Sequence, residues 1–130
     1  MNDTVTAAIA PGELIDKITI LEIKTERISD PVKVANVRIE LETLTSSRDT
    51  ALTASDDLNR LSAALKTVNE ALWEIEDDIR DCERAGDFSD KFVQLARSVY
   101  ITNDKRAALK REINDLLGSK LVEEKSYQPY

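Results

Sequence analysis

The sequence predicts an all-α fold, an antiparallel helical bundle of about four main helices with a short extended N-terminal segment and a non-helical C-terminal tail. Three observations predict it. Apolar residues recur every three or four positions through most of the chain. The three glycines and three prolines are few and punctuate the chain sparsely. No strand-like alternation persists outside residues 4–10. A length of 130 residues fits one helical domain, residues 1–130, with a core of useful size.

The elements follow in order. Thr4–Ala10 reads as extended and is closed by Pro11-Gly12. Helix one is expected from about Glu13 to Ile28. Asp30 is a good N-cap and Pro31 a good first helical residue, so helix two runs from Pro31 to about Leu52, weakening through Thr45-Ser46-Ser47. Ser55 or Asp56 caps helix three, which runs to about Arg84 and ends at Ala85-Gly86-Asp87. Helix four starts near Ser89 and ends before Gly118. Thr102-Asn103-Asp104, midway along it, leaves open whether it is continuous, kinked or split. Helices three and four are each about 40 Å long at ~1.5 Å per residue, and long helices with short connections pack as a bundle. Leu121–Tyr130 is expected to be non-helical and to dock through Tyr127 and Tyr130.

Composition excludes several functions. The chain has no histidine, so imidazole acid–base and metal-ligand chemistry is absent. One cysteine makes neither an internal disulfide nor a thiolate zinc site. A net charge of −7 argues against nucleic-acid binding. No apolar run approaches the ~18 residues of a membrane span, and Met1-Asn2-Asp3-Thr4 lacks the parts of a secretory signal. A cytoplasmic protein with a reduced Cys82, a small buried side chain, is expected.

The polar residues on the apolar faces carry the functional reading. Helix one has an apolar face of Leu14, Ile15, Ile18, Leu21 and Ile28, with Ile20 and Ile23 on its other side, so two surfaces are expected to be covered. Lys17 and Lys24 share the stripe between them, and Glu22 falls close to the main arc. On helix three, Asn69, Trp73, Glu76 and Arg80 line one border of the apolar face, with Glu76 inside the arc. On helix four, Asn103, Arg106 and Lys110 fall on the apolar face itself.

Inward polar groups need partners, because an unpaired buried charge is too costly. Glu76, with Glu22 or Asp16 as further acids, is expected to pair with cations drawn from Arg80, Arg106, Lys110, Lys17 and Lys24. Cations outnumber acids in this set, and a surplus of inward lysine and arginine suits a phosphate or carboxylate ligand. The nine residues proposed to bind it are Lys17, Lys24, Asn69, Trp73, Glu76, Arg80, Asn103, Arg106 and Lys110: cations as anchors, Glu76 for orientation, the asparagines as hydrogen-bonding groups and Trp73 as a wall. Against this stands a purely structural network, with Glu76–Arg80 an ordinary helical ion pair and the lysines snorkelling to water. The acidic run from Glu74 to Glu83 reads as a solvated face, with Mg²⁺ binding as its functional alternative. No metal site and no cofactor is assigned.

With those stripes in view, the chain resembles a family of small bacterial proteins known only as a domain of unknown function. The matching segments are Pro11–Lys24, Asn69–Arg80 and Ala96–Asn114, continuing to Glu124-Lys125-Ser126-Tyr127. The resemblance covers nearly the whole chain and implies no activity. Members resemble proteins encoded near sugar-transfer and cell-surface polysaccharide genes, which implies a context of that kind.

Three functions compete. The first is a binding or accessory module for a small anionic ligand, consistent with the lack of any histidine to activate a nucleophile. The second is an enzyme acting by electrostatics, similar in its opening helix to all-helical chorismate mutases, or a Mg²⁺-dependent nucleotide pyrophosphohydrolase. The latter would need a second acidic motif that the chain does not clearly offer. The third is a structural oligomerisation module, since a two-sided helix one favours a homodimer.

Overall fold

The computed structural model describes residues 3–130. Four helices follow in order: α1 (Pro11–Arg27), α2 (Pro31–Ala51), α3 (Asp56–Ala85) and α4 (Asp90–Leu116). Among the described residues there is no strand, and 3–10 and 119–130 are irregular. The opening segment is therefore not part of a sheet. No described helix is long and apolar enough to cross a membrane.

Local chemistry explains where the helices begin and end. Pro11 takes the first position of α1, and Ala10 before it is extended. The carbonyl of Ala10 accepts from Glu13 and Leu14, while the amide of Gly12 donates to Asn114 Oδ1 at 2.7 Å. A side chain of α4 thus satisfies an orphan donor of α1, a cap supplied from across the bundle. Asp30 caps α2 through Val32 N at 2.9 Å, and Ser55 caps α3 through Leu58 N at 3.1 Å. Gly86 closes α3 in the left-handed conformation at φ 65°. At the head of α4 the side chain of Asp87 accepts from Ser89 N at 3.0 Å.

α1 is the central element and packs against all three other helices. It runs alongside α3 and against the direction of α4: Gly12 meets Asn114, Asp16 meets Arg106, and Arg27 reaches Glu74. Ile15, Leu58, Leu61, Leu65 and Ile113 form the core, with Leu52, Leu109 and Leu117 packed against it. Ile18, Leu21 and Ile23 are also buried. Beyond Glu74, α3 and α4 continue as a two-helix hairpin. There Ile75, Ile79, Phe92 and Leu95 are only half-buried, though Cys82 is buried and Phe88 meets Phe92 edge-on. No residue of α2 is buried.

Several expectations are refined. α1 begins at Pro11, not Glu13, because proline's fixed φ and missing donor suit the first helical position. α2 is continuous through Thr45–Ser47; the hydroxyls of Thr43 and Ser47 turn back to carbonyls of the preceding turn, a mild strain that the helix tolerates. α4 is continuous through Asn103, and its long contact with α3 outweighs the modest propensity cost of Thr102-Asn103-Asp104. Tyr130 touches α4 through Asp104 and Tyr100, but neither it nor Tyr127 is buried there, their exposures being 81% and 82%.

Candidate functional site

The polar residues that enter the bundle do so around Asp16. Its side chain is 1% exposed. Arg106 grips it with two bonds, Nε to Oδ1 at 2.9 Å and Nη2 to Oδ2 at 2.5 Å. Asn69 Nδ2 donates to Asp16 Oδ1 at 2.9 Å and to Thr19 Oγ1 at 2.9 Å, and the Thr19 hydroxyl donates to the carbonyl of Asp16 at 2.8 Å. Three helices therefore meet on one carboxylate. Burial pushes the Asp16 pKa up, but the bonds from Arg106 and Asn69 and the charges of Arg106 and Lys110 outweigh it, and the net direction is down. Asp16 also raises the pKa of Arg106 through the same bond.

One turn further along α4, Lys110 is 7% exposed and lies between two carboxylates, Glu13 Oε2 at 2.8 Å and Glu123 Oε2 at 2.9 Å. Burial lowers its pKa, the bonds to Glu13 and Glu123 raise it, and the net direction is up. Among the described residues no buried side-chain nitrogen or oxygen lacks a hydrogen-bond partner.

Two hollows flank Arg106. The larger is a cleft of about 490 Å³ between α1, α3 and α4. Its apolar lining comes from Ile20, Ile23, Leu72, Trp73 and Val99; Asn69, Glu76, Arg80, Asn103 and Arg106 supply most of its polar lining. The smaller, about 240 Å³, is polar, and Asn103 and Arg106 line both. Lys110 and Glu13 line the smaller one, and Glu123 and Lys125 reach it from the segment after α4. A third hollow of about 390 Å³, which includes Glu22, Arg48 and Lys66, lies apart from these.

The nine residues singled out in the sequence separate into groups. Asn69, Trp73, Glu76, Arg80, Asn103 and Arg106 line the cleft, and Lys110 lines the polar hollow beside it. Lys17 and Lys24 line neither. Lys17 points to water, its side chain 51% exposed and 3.7 Å from Glu13, and Lys24 is half-buried. The expectation of an inward Glu76 is corrected. Its side chain is 53% exposed and pairs at 3.5 Å with Arg80, itself 72% exposed. Glu76 lines the cleft with Ile20 and Ile23 of α1 but on its open side, where the carboxylate meets water. The expected surplus of inward cations is corrected too: Arg106 is matched by Asp16, and Lys110 by Glu13 and Glu123.

Asp16 stands in the sequence only as one of several acids, yet it is the hub. The sequence pattern does not single out Glu13, Thr19, Asn114 or Glu123. Two of these carry a signal: Thr19 is three residues after Asp16, and Asn114 is four after Lys110, so each extends an inward stripe by one turn. Glu123 carries none, because it lies outside any helix. Among the described residues no three Asp, Glu, His or Cys side chains gather as a metal-binding group, and the acidic run of α3 is exposed at Glu74, Glu76, Asp77, Asp78, Asp81 and Glu83.

A family model described as "Family of unknown function (DUF6165)" matches residues 5–130, and the chain belongs to that family. Comparison with curated proteins gives no match, and neither does comparison with solved structures.

Proposed function

We propose that this member of a family of unknown function is a binding or accessory module that holds a small anionic ligand, phosphate- or carboxylate-bearing, in the cleft between α1, α3 and α4. The observation that carries the reading is the meeting of an apolar floor, including Trp73, with the guanidinium of Arg106. The two bonds to Asp16 use Nε and Nη2 and leave Nη1 for a second acceptor. Asp16 fixes the guanidinium plane, so a ligand that bonds to it meets a group already ordered. Asn103 and Arg80 add donors on the cleft's rim.

The setting we propose is a bacterial cytoplasmic homodimer connected with sugar-transfer or polysaccharide pathways. Support for the dimer is the apolar surface of α2, where Val32 is 71% and Ile39 65% exposed. An electrostatic enzyme similar to chorismate mutases and a Mg²⁺-dependent pyrophosphohydrolase have no specific observation in their favour. A purely structural module does: the buried polar network is closed on itself, each charge having an internal partner.

A thermal-shift screen with phosphorylated sugars, nucleotides and dicarboxylates tests the ligand reading. Fluorescence of Trp73, the only tryptophan, reports the same cleft. A ligand that raises the melting temperature and changes this emission supports it. Silence from every compound in both measurements favours the structural module.

A further inference from the structure

We infer that Glu123 is an internal stand-in for the ligand's charged group: the cleft takes a monocarboxylate on an apolar body, whose carboxylate displaces Glu123 from Lys110 and lifts the segment after α4. The inference rests on reading the cleft as a ligand site.

The two carboxylates on Lys110 are held differently. Glu13 belongs to the first turn of α1, fixed by the packing of that helix against α4. Glu123 belongs to an irregular strap in which every residue from Leu121 to Tyr130 is exposed. Few contacts hold that strap: Ser119 bonds Leu121 at its start, and beyond it stand the Glu123–Lys110 pair, the Tyr130 hydroxyl donating to Asp104 at 2.7 Å, and an edge-on contact of Tyr130 with Tyr100 at 5.2 Å between ring centres. A buried ammonium thus receives one of its two acceptors from an exposed, irregular segment held by few contacts.

Charge and geometry select the ligand class. With the strap lifted, Arg106 and Lys110 still face Asp16 and Glu13, so the two cations are already matched. The vacated position accepted one negative charge from Glu123, and a dianionic phosphate would crowd against both remaining carboxylates. The polar hollow that contains Lys110 shares Asn103 and Arg106 with the apolar cleft, so a molecule anchored at Lys110 can extend past them towards Trp73. An apolar body matches Ile20, Leu72, Trp73 and Val99 there.

The test uses 4-phenylbutyrate as probe, with 4-phenylbutanol and inorganic phosphate as comparators, on the full chain and on Glu123→Gln. Trp73 fluorescence reads binding, and the NMR ring-proton shifts of Tyr100 read the strap. Removing the competing carboxylate is expected to tighten phenylbutyrate binding about fivefold or more, since a closed strap reduces the binding-competent fraction. Phenylbutyrate is expected to move the Tyr100 resonances in the unaltered chain towards those of a chain ending at Lys120, and the alcohol and phosphate are expected to bind more weakly. Equal affinity in the two proteins, or a Trp73 response with Tyr100 unmoved, overturns the stand-in role and leaves the cleft reading intact. Phosphate binding more tightly than phenylbutyrate overturns the ligand class. No Trp73 response in either protein removes the cleft reading and this inference with it.

Discussion

α3 and α4 carry similar patterns along their whole length, yet the two ends of their hairpin behave differently. Where α1 covers them, between Leu58 and Asn69 on α3 and between Arg106 and Asn114 on α4, polar side chains enter the bundle and find partners. Towards the α3–α4 turn, between Ile75 and Leu95, the same helical stripe meets water and its charges pair loosely on the surface. Whether a polar residue on an apolar border becomes a buried network or a solvated face depends on a third helix, not on its own position. Substitutions at the two ends should therefore differ sharply.

The largest difference is expected at the hub. Asp16→Ala leaves Arg106 without its carboxylate and Asn69 without one of its two acceptors, so it should cost about 3–5 kcal/mol, the range for breaking a buried ion pair. Urea denaturation measures it. A loss below about 1 kcal/mol would mean that Arg106 swings out to water unaided and that the covered end is no more demanding than the open one.

Core truncation should follow the same division. Leu65 is fully buried among Ile15, Leu58, Leu61 and Ile113, and Leu65→Ala should cost about 2–5 kcal/mol. Ile79 lies on the protruding hairpin and is half-buried. Ile79→Ala should fall well short of that range, because water already reaches part of the side chain. Equal losses at the two positions would show that something covers the hairpin in solution.

Gly12→Ala asks how closely α1 approaches α4. A Cβ at Gly12 would overlap the carbonyl oxygen of Lys110 and lie 2.9 Å from Asn114 Oδ1. Helix propensity favours alanine by roughly 0.5–1 kcal/mol, while overpacking costs about 1–3 kcal/mol. The backbone carbonyl cannot rotate away as a side chain can. The substitution should therefore destabilise, against its propensity, by about 1–2 kcal/mol in the same assay.

These contrasts show what the sequence made legible. The helices were readable because their caps are local: Asp30, Ser55 and Gly86 act within a turn of themselves. Arg106 and Lys110 were readable as inward residues because α4 keeps one regular face across Asn103. Glu76 was misplaced by the same periodicity. A helical wheel shows where the apolar arc lies but not how closely the neighbouring helix packs, and α1 leaves an open cleft beside Glu76. The hub of the network depends on which of several acids meets Arg106 across 90 residues of sequence, and no local pattern encodes that. Glu123 was out of reach because no periodicity governs an irregular segment.

Acid should act selectively on the covered end. The folded pKa of Asp16 lies below its ordinary value of 3.8. Its ionised form therefore stabilises the protein fully above that value, and the contribution is lost as pH falls through the lower folded value. Lys110 is the mirror case: its folded pKa is raised, so its contribution is present below 10.5 and lost as pH rises through the folded value. Urea midpoints of the unaltered chain and Asp16→Asn should differ at neutral pH and converge in strong acid. A gap that persists unchanged at the lowest pH would assign the loss to hydrogen bonding or packing instead of charge.

The smallest effect is expected at the open end, and it is the most sensitive check on the comparison. Glu76 and Arg80 form an exposed i,i+4 pair at 3.5 Å, for which about 0.3–0.5 kcal/mol is typical, weakened further by salt. Glu76→Gln should change stability by no more than that, and 0.5 M salt should erase the difference, since charges are then screened over a few ångströms. A loss above about 1 kcal/mol that survives salt is outside the range of an exposed pair. It would mean that Glu76 is covered in solution by a surface that the described residues do not place over it. If that loss also deepened with protein concentration, a second copy of the chain would be the cover, and the hairpin would join α2 as part of a dimer interface.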